Sequence, residues 1–166
     1  MRMRPRISSR SLQLDRLRAL PDGTFGRAHL EFYTQNGITP DSRAPVAYIR
    51  DEELAYVMQR YREVHDCMHT LCGIEVSVVA EIGLKWLEFR HTHLPVTVLS
   101  VLGSTILVGR RDRDHLRRLL GWAEANAKTS KFFMSVCFEE MLHMNLAQVR
   151  ERMGIIPFSE WSHRSD

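Results

Sequence analysis

Between residues 51 and 73 the apolar positions Leu54, Val57, Tyr61, Val64, Met68 and Leu71 recur every three or four residues, the period of a helix with one buried face. Asp51 suits an N-cap, Glu52 and Glu53 suit a first turn, and Gly73 is a natural stop. A second helix is predicted over 76–91, with Val78, Val79, Ile82, Trp86 and Phe89 as its apolar stripe and Glu81, Lys85 and Glu88 as a polar line beside it. Another covers 112–126, with Leu116, Leu119, Leu120 and Ala123 inward. Ser130 can cap a last long helix, 131–153, whose apolar positions are Phe133, Val136, Cys137, Met141, Leu146, Val149 and Met153; Gly154 and Pro157 close it. Residues 94–109 are nearly uncharged and interrupted by Gly103 and Ser104, and their pattern fits either a buried helix or two short strands. The stretch is shorter than the roughly 20 apolar residues that span a bilayer.

The two ends lack this pattern. Pro5, Pro21, Gly23, Gly26, Gly37, Pro40 and Pro45 predict irregular chain over 1–50, apart from one short helix at 26–35. The tail from Phe158 onward reads as polar and frayed. The chain is therefore divided into a basic N-terminal arm (1–25), a single helical domain (26–157) and a polar tail (158–166).

Charge sharpens that division. The 166 residues carry 23 basic and 20 acidic side chains, but residues 1–20 hold six arginines against Asp15 alone, leaving 17 basic and 19 acidic in the rest. A nucleic-acid-binding domain would carry a basic face on its fold, so that class is set aside. The arginine- and serine-rich start resembles a mitochondrial transit peptide; a solvated basic arm is the alternative. No apolar signal region opens the chain. Cys67, Cys72 and Cys137 fall in apolar helical stretches and read as buried, reduced thiols.

The chemistry concentrates in His65-Asp66-x-x-His69, followed after eleven residues by Glu81. Histidines at i and i+4 project from one helix face, and Asp66 stands at its edge. Two imidazoles and two carboxylates make a ligand set for a divalent cation, with zinc the default for mixed nitrogen and oxygen donors. A helical hairpin turning at Gly73 would bring Glu81 to the other three. The plain alternative is that these groups face water. His29, His115 and His143 read as surface residues, and His91 and His93 as cations at a helix end. A zinc peptidase would have glutamate where Asp66 stands. A di-iron carboxylate bundle needs two Glu-x-x-His segments, and only Glu140–His143 is present. A phosphohydrolase of the His-Asp type would need further ligands that are not evident.

The blocks Tyr61-Arg62-Glu63-Val64-His65-Asp66, His69-Thr70-Leu71, Gly73, Glu81-Ile82 and Lys85-Trp86 resemble the fourth protein of the coenzyme Q (ubiquinone) biosynthesis pathway, whose hallmark is this His-Asp-x-x-His-x11-Glu signature. Arg4-Pro5-Arg6-Ile7, Asp41-Ser42-Arg43-Ala44-Pro45-Val46, Asp51-Glu52-Glu53-Leu54, Leu94-Pro95, Glu139 and Met153-Gly154-Ile155 match in the same order, so the similarity covers about residues 4–157. Family members usually carry a helical segment ahead of the Arg4 block, so part of the arginine-rich start is expected to be mature sequence.

The resemblance implies an all-α fold, a compact multi-helix bundle with an irregular N-terminal region, and so a helix at 94–109. It implies ubiquinone biosynthesis, by a metal-dependent carbon–carbon lyase that removes the carboxyl group at carbon 1 of a 4-hydroxy-3-methoxy-5-polyprenylbenzoate. His65, Asp66, His69 and Glu81 are the expected zinc ligands, and whichever of Glu81 and Asp66 is not bound to the metal is the expected proton donor. The expected location is the matrix side of the mitochondrial inner membrane, held peripherally. The expected partners are the polyprenylated substrate and other coenzyme Q biosynthesis proteins in a multi-subunit complex, with a homodimer as the expected self-association. The prenyl tail would lie along 96–108 and the face of Met68, Trp86 and Phe89, residues that core packing explains equally well. The rival reading is a non-catalytic scaffold that binds quinone intermediates and organises that complex, its metal purely structural.

Overall fold

A computed structural model describes residues 4–106 and 108–164. Among these residues the protein is all-α, with nine α-helices, three short 3-10 turns and no strand. The helices are α1 (Ser9–Leu12), α2 (Leu14–Arg18), α3 (Phe25–Asn36), α4 (Glu52–Cys72), α5 (Val78–Thr92), α6 (Pro95–Thr105), α7 (Arg113–Thr129), α8 (Leu146–Met153) and α9 (Phe158–Arg164). The chain divides into two compact units, one from the start to Thr70 with Met134–Val149, the other from Leu71–Phe133 and from Arg150 onward.

In the first unit, α3 starts where the pattern predicted and is set by its neighbours. Thr24 is its N-cap, and the amides of Phe25 and Gly26 donate to the carbonyls of Met144 and Leu142, each at 2.8 Å. A Cβ on Gly26 would sit 2.8 Å from the Leu142 carbonyl oxygen, so the close approach needs glycine. Phe25, Leu30 and Tyr33 of α3 are buried, as are Tyr61, Val64, Cys67 and Met68 of α4. Leu54 and Val57, on the same predicted stripe, are exposed. The N-terminal region is more ordered than its breakers predicted. Ser8 caps α1 through a reciprocal hydrogen-bond pair with Ser11, Ile7, Leu12 and Leu17 are buried, and Arg6 donates to Glu63 at 2.7 Å.

The single helix predicted over 131–153 does not form. Two 3-10 turns, Phe133–Ser135 and Phe138–Met141, precede α8. Carbonyls that a helix would use internally are taken elsewhere. Arg60 Nη2 donates to the Val136 carbonyl at 3.0 Å, and the Leu142 and Met144 carbonyls serve α3. Phe132, Phe133, Val136 and Phe138 lose side-chain freedom in a helix and so weaken the local preference that these contacts override.

In the second unit, α5 lies against both α6 and α7. Gly83 meets Leu119, whose Cβ would stand 2.9 Å from an added Cβ. The buried face of α5 is Ala80, Ile82, Gly83, Leu84, Leu87 and Glu88, and Val78 of the predicted stripe is exposed. A helix packed on two sides has no single apolar stripe to read. On α7, Leu119, Trp122, Ala123 and Asn126 are buried, whereas Leu116 and Leu120 are half-buried. Asn126 clamps the chain after α8 by donating to the Ile156 carbonyl at 3.2 Å and accepting from the Ile156 amide at 2.8 Å. Of residues 94–109, Pro95–Thr105 form the helix α6, and the tail predicted to fray contains α9.

Candidate metal centre

His65, Asp66 and His69 lie on α4, whose long 3.6-residue period places the two imidazoles one turn apart. All three are buried, His65 to 1% exposure and His69 to 2%. The rings meet edge-on at 89°, and the two Nε2 atoms stand 3.3 Å apart. Two nitrogens bound to one zinc at about 2.05 Å with a tetrahedral angle would stand about 3.3 Å apart. The imidazole pair is thus already spaced to chelate. Phe32 of α3 stacks on His69 at 5.3 Å and 19°, which fixes that ring.

Beneath the motif lies a residue that the sequence reading placed at the surface. His29 is fully buried. The Thr70 hydroxyl donates to the Asp66 carbonyl at 3.4 Å, so the His29 Nδ1–H donates to Thr70 Oγ1 at 2.8 Å and Nε2 accepts from the Cys67 thiol at 3.6 Å. Burial, reinforced by His69, pushes the His29 pKa down to about 3, so the ring is neutral. Burial likewise pushes the Cys67 thiol well up, and it stays protonated rather than joining a ligand set. This run of hydrogen bonds locks the turn of α4 that carries the motif. An isolated histidine in a short helix gave no sign of it in the sequence.

Arg43 was also missed as a site residue, although it sits in one of the blocks that carried the resemblance. Its Nη2 lies 3.6 Å from Asp66 Oδ1, and its side chain is half exposed. Of the remaining histidines, His115 and His143 are exposed as expected. His91 is half-buried, accepts or donates at Ser130 Oγ (3.2 Å) and is held below its usual pKa by burial. Cys67 and Cys72 are buried and free, Cys137 half-buried and free.

Glu81 lies in the first turn of α5, one turn after the Ser77 cap. Two imidazoles from α4 and a carboxylate from α5 are donors whose chemistry suits zinc with room for an exchangeable ligand.

A family model described as "Coenzyme Q (ubiquinone) biosynthesis protein Coq4" matches residues 1–159. The chain is 42% identical over 153 residues to the mitochondrial ubiquinone biosynthesis protein COQ4 homolog of Bos taurus, and 40% identical over 153 residues to that of Homo sapiens. Each alignment covers 92% of this chain and 58% of the relative. The mitochondrial COQ4 protein of Laccaria bicolor is 41% identical over 162 residues, 96% of this chain and 54% of the relative. The chain thus spans a little over half the length of these curated relatives. A crystal structure of a protein from Nostoc punctiforme shares the fold at a TM-score of 0.70 and 20% identity, covering 85% of this chain and 67% of that one. On the family match and these identities together, the chain belongs to the Coq4 family of coenzyme Q (ubiquinone) biosynthesis proteins.

Proposed function

We propose that this protein is a metal-dependent carbon–carbon lyase of ubiquinone biosynthesis that removes the carboxyl group at carbon 1 of a 4-hydroxy-3-methoxy-5-polyprenylbenzoate. The observation that carries this reading is the buried His65–His69 pair, spaced at 3.3 Å to chelate, in a chain of this family. His65, His69 and Glu81, with Asp66 beside them, are the proposed ligands, and zinc the proposed ion. Bound there, the ion supplies a Lewis acid that steadies negative charge on a carboxylate or phenolate oxygen. The chain's own residues do the rest. Whichever of Asp66 and Glu81 is not on the metal carries the proton to carbon 1 as the carbon–carboxylate bond breaks, releasing carbon dioxide. Phe32 holds His69, and the His29–Thr70 bond holds the backbone of the motif.

The proposed setting is the matrix face of the mitochondrial inner membrane, within a complex of coenzyme Q biosynthesis proteins; a homodimer is the proposed self-association. The relatives are named mitochondrial, and no described helix is long and apolar enough to cross a membrane. Peripheral contact is supported by α6, which exposes Val96, Leu99 and Leu102, with Ile106 just beyond it. The exposed Arg110, Arg111 and Arg113 follow within a few residues, the composition of a surface that meets anionic lipid.

Metal content by mass spectrometry, with melts and a decarboxylation assay, tests the reading. The wild type is expected to hold one zinc per chain, and His65→Ala/His69→Ala to lose the metal and turnover while remaining folded. A variant that loses metal and melts at much lower temperature points to the scaffold with a structural ion. A carefully prepared wild type without metal sinks the proposal.

A further inference from the structure

We propose that a small hollow beside Asp66 is a carboxylate subsite, in which Arg43 and the Tyr33 hydroxyl receive an oxygen of an aromatic acid. The hollow lies wholly within the first unit and has a volume of about 20 Å3. That is room for a single water-sized group, such as one carboxylate oxygen, and for little else.

Its walls offer more donors than the protein uses. Tyr33 is 3% exposed, yet its hydroxyl is buried without a hydrogen-bond partner. Burial raises the phenol's pKa, so the group keeps its proton and stands ready to donate. A buried polar group left unpaired in this way is uncommon. Arg43 adds a guanidinium to the same wall, its Nη2 lying 3.6 Å from Asp66 Oδ1, beyond hydrogen-bond length. Its fork of donors matches a carboxylate.

The charge balance of the hollow favours an anion. Glu63 is already satisfied, accepting from Arg6 Nε at 2.7 Å, the Ile7 amide at 2.8 Å and Gln59 Nε2 at 3.1 Å. With Glu63 neutralised by Arg6, the remaining charged walls are Arg43 and Arg62 against Asp66, a net of one positive charge. An acid bound here would touch the carboxylate that neighbours His65 on α4, which couples the subsite to the proposed metal centre. The inference therefore rests on the lyase reading, and it names what that reading lacks: the group that recognises the carboxylate to be lost.

The experiment titrates the purified full chain with 4-hydroxy-3-methoxybenzoate and with 2-methoxyphenol, the same ring without its carboxylate, followed by tryptophan fluorescence and ligand-observed NMR. The wild type is expected to bind the acid about tenfold more tightly than the phenol. Arg43→Ala is expected to bring the two affinities together by weakening only the acid, with Arg43→Lys between them. Tyr33→Phe removes only the hydroxyl and is expected to lower the acid's advantage by about threefold. It reads the same subsite independently should Arg43→Ala disturb the 38–46 segment. If the acid keeps its advantage in both variants, or loses it in wild-type protein stripped with a chelator, the carboxylate sits on the metal. The subsite is then wrong while the lyase reading stands. If neither compound binds the wild type, the two fall together.

Discussion

Arg60 and Glu139, 79 residues apart in sequence, form a two-pronged ion pair, with Nη1 to Oε1 at 2.5 Å and Nη2 to Oε2 at 2.9 Å. Arg60 is 1% exposed and spends a further donor on the Val136 carbonyl. The pair pins the 3-10 segment to α4 one turn ahead of the candidate metal motif. Arg60→Met leaves a partly buried carboxylate without its cation and is expected to cost on the order of 3 kcal/mol in urea unfolding. Glu139→Leu in addition should recover part of that loss. A double variant no more stable than Arg60→Met would show that packing of the arginine stem, not the ion pair, holds the segment.

Acid should weaken the fold through His29. The folded protein keeps this ring neutral down to about pH 3, whereas the unfolded chain protonates it near 6.5. Between those values the unfolded state binds the extra proton. The contribution is whole above pH 6.5 and falls by about 1.4 kcal/mol per unit as the pH drops toward 3. His29→Phe retains a ring beside Phe25 and Phe32 and abolishes this titration. Its stability, measured by denaturant unfolding between pH 7 and 4, should fall less steeply than the wild type's. Parallel curves would refute the assignment.

Gly26 is the point at which the start of α3 meets the chain at Leu142. Gly26→Ala places a methyl 2.7 Å from Leu20 Cδ1 and 2.8 Å from the Leu142 carbonyl oxygen. The expected cost is about 1–3 kcal/mol, read as a lowered melting temperature, because a backbone oxygen cannot step aside as a flexible side chain does. A neutral substitution would mean that the segment after Phe138 is more yielding than its hydrogen bonds to α3 indicate.

The exposed apolar side chains of α6 should govern lipid binding without affecting the fold. Leu99 and Leu102 are 66% and 60% exposed, so Leu99→Ser/Leu102→Ser is expected to leave the melting temperature within about 1 °C. Co-sedimentation with vesicles rich in anionic lipid should fall by about tenfold or more in the same variant. Charge reversal at Arg110 and Arg111 should weaken binding mainly at low salt. Unchanged sedimentation in both variants would remove α6 from the membrane-facing surface.

What could be read from the chain alone was whatever local spacing encodes. The period from Tyr61 to Leu71 marked the buried face of α4, and Gly73, at φ +62°, ended that helix as expected. His65 and His69 fell one turn apart for the same reason, since i and i+4 share a face whatever surrounds them. The helical state of 95–105 was not legible from the pattern and came only with the family resemblance.

Tertiary structure decided what depends on partners distant in sequence. The face of α5 escaped notice because two helices cover it, and the helix expected over 131–153 was undone by Arg60 and the start of α3, which claimed its carbonyls. His29 reads as an ordinary polar residue until Thr70 and Cys67 close around it. The hollow with its unpaired Tyr33 hydroxyl is likewise set by α3, the 38–46 segment and α4 meeting together. Spacing within one helix is a property of the backbone's own geometry; burial, hydrogen-bond satisfaction and cavities belong to pairs of segments, and folding alone brings those pairs together.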